Sequence, residues 1–308
     1  MKGLELSESY FKTYGLPLIQ EKFGRYADRI AAGLVGDGSE CFGFDDKISQ
    51  DHDWGPGFNV WLLQEDFDKF GSALLAEISK LPLSFKGYGP RLVSDWGEGR
   101  VGVSEMSQFF LKFTGIDHVP KSLEEWLFIP ESFLATVTNG KVFYDPLGKF
   151  TTWRNSLLAF YPEDVRLKKI AARCMTIAQS GQYNFSRSVK RDEYLAAQYA
   201  ETKFCADVIS LIFLLNKKYV PYHKWMHRAV AKLPVLGQEI YSKIDRLIAC
   251  HDYNKKSLII EDICALILKE FIDEGLSDCP NDFLLYHGPV IQKKIKDPLI
   301  REKNVWIG

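Results

Sequence analysis

The apolar periodicity of the chain changes near residue 150, and that change constrains its architecture more than any other feature. Before it, short apolar runs bounded by glycine and proline alternate with helical stretches. After about Pro162, apolar residues recur almost throughout at helical spacing. In the first part the pattern predicts a helix around Glu8 to Ile30, a strand at Ala31 to Val35, and a strand from about Asp51 to Leu63 interrupted by Gly55-Pro56-Gly57. A helix over Asp66 to Lys80 follows, with Phe67, Phe70, Leu74 and Ile78 on one side, and then short strands at Arg100 to Glu105 and Lys141 to Asp145. In the second part "DVRLKKIAARCMTIAQSG" reads as a helix capped by Gly181, and "SVKRDEYLAAQYAETKFCADVISLIFLLNKKY" as one long helix running into Asn216. "KWMHRAVAKL", "GQEIYSKIDRLIA" and "IIEDICALILKEFIDEG" add three more. The expected fold is therefore α+β in two domains, a mixed-sheet domain over 1–150 and a helical bundle over 151–308. A chain of 308 residues that is 46% hydrophobic has enough apolar material for two cores.

Charge and cysteine usage narrow the function classes. Lysine and arginine number 39 against 40 aspartates and glutamates, so no global field would hold a nucleic-acid backbone, and an anionic ligand must meet a local basic patch. The six cysteines are scattered without a CxxC pair, so neither a zinc knuckle nor a disulfide framework is suggested and they read as reduced and mostly structural. No basic n-region precedes an apolar h-region, and no apolar run approaches the roughly 18 residues of a membrane span. A cytoplasmic protein without a membrane partner is the expectation.

The chemistry concentrates in "GLVGDGSECFGFDDKISQDHDWGPGFNVWL". On a strand, successive side chains alternate faces, so Asp51 and Asp53 would stand side by side with His52 pointing away. Two adjacent carboxylates repel unless a divalent cation lies between them, and ligands that are all oxygen suit magnesium. Gly38-Ser39, at a turn after an apolar strand, lets backbone N–H groups and a hydroxyl approach a phosphate. The fragment does not read as a dinucleotide loop, because the G-x-G-x-x-G order is missing. No G-x-S-x-G motif marks a nucleophile. His223 and His227, four residues apart, lack a third zinc ligand.

Gly38-Ser39, eleven intervening residues and Asp51-His52-Asp53, with Gly43 inside the interval and Ser49 near its end, resemble the signature of nucleotidyltransferases with a DNA polymerase β-like fold. "SECFGFDD", "VFYDPLG" and "LLNKKYVPYHKW" are similar to a bacterial family that joins this unit to a helical C-terminal half. The resemblance implies transfer of a nucleoside monophosphate from a nucleoside triphosphate such as ATP to a hydroxyl, with release of pyrophosphate. Asp51 and Asp53 would be catalytic and hold Mg2+, and Gly38 and Ser39 would cradle the β/γ-phosphates. It also implies a third carboxylate from a neighbouring strand. Glu105, in period with Val101 and Val103, is the first candidate, and Asp145, in an Asp-Pro turn, the second. Without a third acid the unit would bind nucleotide and not turn it over.

In the helical half, Arg187, Lys190, Arg191, Tyr194 and Gln198 fall on one face of a continuous helix, beside the aromatic loop Tyr183 to Phe185. Arginine suits bidentate contact with phosphate, so this stripe is expected to bind the nucleotide and to close a cleft from the second domain, with Lys224 of "YVPYHKW" reaching the same ligand. The acceptor is expected to be a hydroxyl-bearing, antibiotic-like small molecule. A tRNA end, a protein side chain, or a nucleotide-binding module without turnover are the alternatives.

Overall fold

The structure is a computed structural model that describes residues 1–92, 94 and 100–308. The fold is α+β. The chain divides into two compact units, one of residues 1–119 and 132–159, the other of residues 120–131 and 160–308. The sequence boundary at 150 differs from this partition at two places. Residues 151–159 stay with the first unit because Trp153 stacks on Phe110 at 4.2 Å. Residues 120–131 join the second, where Trp126 meets Tyr161 edge-on.

The first unit is built on a four-stranded sheet ordered β3-β2-β1-β4, with β1 at Ala31–Leu34, β2 at Asn59–Leu62, β3 at Gly102–Glu105 and β4 at Lys141–Tyr144. β1 runs antiparallel to both β2 and β4, and β2 runs parallel to β3. Every residue of β2 is buried, which requires cover on both faces. Val60 and Leu62 face a cluster containing Leu6, Phe11, Ile19, Phe58 and Leu74. Trp61 faces the other way and stacks on Phe150 at 3.8 Å, with Phe109 against its edge.

Two expectations in this unit change. The helix expected from Glu8 begins at Gly3 and leaves α-helical geometry after Lys22, passing through a wider turn at Phe11–Gly15. The strand expected from Asp51 shortens to Asn59–Leu62, because Asp53 takes φ +52° and Gly55 φ +133°, both incompatible with extended backbone.

In the second unit the helix Glu163–Ile177 is buried along nearly its whole length. Its charged residues are satisfied rather than solvated: the Lys168 ammonium donates to Gln292 and to the carbonyls of Lys303 and Asn304, and Arg166 pairs with Glu163 and Glu274. Gly181 does not cap this helix. The chain continues as a π-helix over Ala178–Phe185 and then as Ser186–Val189. A Cβ on Gly181 would lie 2.2 Å from the Phe204 ring, so glycine is what lets Tyr194–Leu215 pack so closely there. Among the described residues, no helix is long and apolar enough to cross a membrane.

Candidate functional site

The loop from Val35 to Phe58 joins β1 to its antiparallel neighbour β2, so the Gly-Ser pair and the Asp51/Asp53 segment both lie at one end of the sheet. Its entry is held by amides: Val35 N donates to Asn59 Oδ1 at 3.3 Å, and Gly36 exchanges two hydrogen bonds with the Asn139 side chain. Gly38 has φ +129°, and a Cβ there would sit 2.6 Å from a carboxylate oxygen of Glu40. Ser39 is half-buried.

The residue that unites the two motif segments is Arg91, which the sequence pattern did not single out. Its guanidinium pairs with buried Glu40 at 3.1 Å, next to Ser39, and donates to the carbonyls of Asp53 at 2.6 Å and Gly55 at 3.1 Å. Burial pushes the Glu40 carboxyl up, against the pull of Arg91. No spacing rule marks Arg91, because its partners, the Glu40 carboxylate and two backbone carbonyls, are brought close only by folding.

Asp51 and Asp53 are placed differently from each other and not on a strand. Asp51 is 61% exposed, and its carboxylate accepts from the amide of His52. Asp53 is 3% exposed, and its carboxylate accepts from the amide and hydroxyl of Ser94 and faces Arg100 Nη1 at 3.4 Å. Burial raises the Asp53 carboxyl, but the Ser94 bonds and the Arg100 charge outweigh it and hold the group below its ordinary value. As placed, the pair does not fit a shared magnesium, since one carboxylate is spent on a cation and two donors and the strand alternation that aligned them is absent. Among the described residues, no group of three or more His, Cys, Asp or Glu side chains is arranged to hold a metal ion.

The candidate third acids are both used locally. Glu105 lies at the end of β3 that pairs with Leu62, away from the end where the loop enters β2 at Asn59. Its carboxylate caps the helix Met106–Thr114, accepting from Ser107 N at 2.9 Å and Gln108 N at 2.7 Å. Asp145 accepts from Gly148 N and Thr151 N, closing the turn that its Asp-Pro sequence announced. Glu105→Ala is therefore expected to lower stability by about 1–2 kcal/mol through loss of the cap, with nucleotide affinity unchanged. Chemical denaturation and a binding titration of the same variant would check both halves, and a collapse of binding with intact stability would return Glu105 to the site. A small cavity of about 140 Å³ opens beside Gly36 and Asp37, lined also by Arg100, Ser104 and Lys112.

The basic stripe of the second unit is not one helix face. The helix breaks at Lys190–Glu193, where Asp192 takes φ +57° and Glu193 N bonds back to Ser188 O, so Tyr194 and Gln198 start a new helix. Arg187 lies over the Tyr183 ring at 4.7 Å and donates to its hydroxyl, while Lys190 and Arg191 are exposed. Lys224 is exposed near Trp225, and Tyr219 packs on Phe160 and Tyr161.

A family profile described as "Domain of unknown function (DUF4037)" matches residues 126–226. Among solved structures, the chain is similar to a nucleotidyltransferase-like protein from Exiguobacterium sibiricum 255-15, at 11% identity over 89% of this chain and 81% of that one, with a TM-score of 0.35. No curated protein matches.

Proposed function

We propose that this chain binds a nucleoside triphosphate on the β1–β2 loop and acts as a nucleotidyltransferase, moving the nucleoside monophosphate to a hydroxyl of a small, antibiotic-like acceptor and releasing pyrophosphate. The observation that carries the reading is the Arg91 bridge, which holds the segment after Gly38-Ser39 against the Asp53 turn. On this reading the Ser39 hydroxyl and neighbouring amides take phosphate oxygens. Arg100 and Lys112 line the small cavity but are already paired with Asp53 and Asp37, so phosphate binding rests on the Ser39 hydroxyl and the backbone amides. Near-neutral net charge weighs against RNA as acceptor. A second reading, a nucleotide-binding module without turnover, is favoured by one specific observation: Glu105 is engaged as a helix cap remote from the loop.

Each labelled nucleoside triphosphate, offered with magnesium and cell extract, tests the proposal. Transfer predicts pyrophosphate release and label in a small product, and Ser39→Ala should weaken triphosphate binding on the order of tenfold. Binding with no turnover selects the module, and absence of any triphosphate binding removes both readings.

A further inference from the structure

The helical unit contains a second cleft, of about 710 Å³, between the π-helix Ala178–Phe185 with the turn after it and the first half of the helix Tyr194–Leu215. This volume lies in the range of small-molecule sites. We propose that this cleft binds an uncharged planar heterocycle of the nucleobase class.

Four independent features support that ligand class. The first is the wall itself. Its π-helical winding, which also occurs at Phe11–Gly15 and Phe67–Gly71 in the other unit, turns Gln179, Ser180 and Asn184 toward the cleft. The second is the pair of amide side chains on that wall, Gln179 and Asn184. Both are exposed and neither is engaged by another side chain among the described residues. Carboxamides match the adjacent donor and acceptor of a base edge. The third is the opposite wall, where Tyr199 is 77% and Leu195 83% exposed, a large apolar surface left to solvent next to a concavity. A tyrosine ring there offers the face on which a base stacks. The fourth is charge. Among the described residues no carboxylate lines the cleft, and the one cation lining it, Lys203, is neutralised by Asp207 one helical turn on. A polycationic aminocyclitol would find no counter-charge, whereas a neutral ring gives up no ionic hydration on entry.

The choice of a nucleobase among planar rings rests on the nucleotide reading above, but the cleft does not. The test therefore uses nucleosides, which lack phosphate. Adenosine, guanosine, cytidine and uridine would be titrated against the full chain by calorimetry, with saturation-transfer NMR to identify the ring protons in contact. Saturable binding of at least one nucleoside is expected. Tyr199→Ala should weaken it about tenfold, Tyr199→Phe should retain it, and Asn184→Leu should alter the preference among the four bases. Because Tyr199 and Asn184 are exposed, melting temperatures should stay at the parental value. Ser39→Ala, in the other unit, should leave nucleoside affinity unchanged. Absence of saturable binding, indifference to Tyr199→Ala, or tighter binding of kanamycin than of any nucleoside overturns the proposal. Triphosphate binding without nucleoside binding would remove the cleft and keep the loop. The converse would remove the loop and keep the cleft.

Discussion

Asp53→Asn is expected to destabilise the first unit by about 2–3 kcal/mol, because the carboxylate it removes is buried, hydrogen-bonded to Ser94 and paired with Arg100. A magnesium ligand would behave in the opposite way: deleting one of two repelling carboxylates would leave the fold intact or steadier and abolish metal-dependent affinity. Denaturant titration with and without magnesium separates the two. Unchanged stability together with lost metal dependence would restore the metal role. The pH dependence has a definite sign. The Asp53 carboxyl is held below its ordinary value in the folded state, so its contribution is fully present above the unfolded pKa of about 4 and is lost as pH falls through the lower folded value. The gap between wild type and Asp53→Asn should accordingly be constant near neutrality and close only in strong acid.

The largest loss in the second unit is expected from Glu201→Leu. Lys256 donates to both oxygens of Glu201, at 2.7 and 2.6 Å, and the two side chains are 10% and 5% exposed. Removing the carboxylate alone leaves a buried ammonium without its counter-charge, beside the Tyr253 ring, a change that costs about 3–5 kcal/mol. Replacing both partners, Glu201→Leu with Lys256→Met, should recover most of that loss, since an apolar pair of similar volume has no charge to desolvate. Thermal melts of the two single variants and the double variant form a closed cycle. A double variant no better than Glu201→Leu would mean that the site is sensitive to shape and not to charge.

The elements that could be read from the chain were those set by local periodicity. β1, β4 and the helices Glu163–Ile177, His223–Val230 and Gly237–Ala249 lie near their expected positions because each needs only a pattern of apolar residues and a breaker at its end. The helices Met106–Thr114, Leu123–Phe128, Glu131–Val137, Lys149–Leu158, His287–Gln292 and Pro298–Glu302 went unread because each is ten residues or fewer and displays little of a helical period. The regular elements that were misread fail where a single residue adopts a backbone conformation that the pattern does not encode. Asp53 and Asp192 both take positive φ, and each breaks a regular element through which the periodicity alone would have continued. The first separates Asp51 from Asp53, and the second splits the basic stripe. Gly181 failed as a cap signal for another reason: it is required by the ring of Phe204, which is 23 residues further on and adjacent only in the folded unit.

By itself, then, the sequence determined the α+β class, the division into a strand-bearing part and a helical part, and the placing of Gly38-Ser39 just after an apolar strand, because these follow from the spacing of neighbouring residues. Tertiary structure alone decided which polar groups remain available. Asp53, Glu105 and Asp145 are carboxylates in the sequence and could each have served chemistry, yet each is engaged by donors, several of them backbone amides, whose positions exist only after folding. The same holds for Arg91, whose guanidinium joins Glu40 to the carbonyls of Asp53 and Gly55. The one-dimensional pattern records that a side chain can bond, but the free energy of burying it unpaired determines what it bonds to.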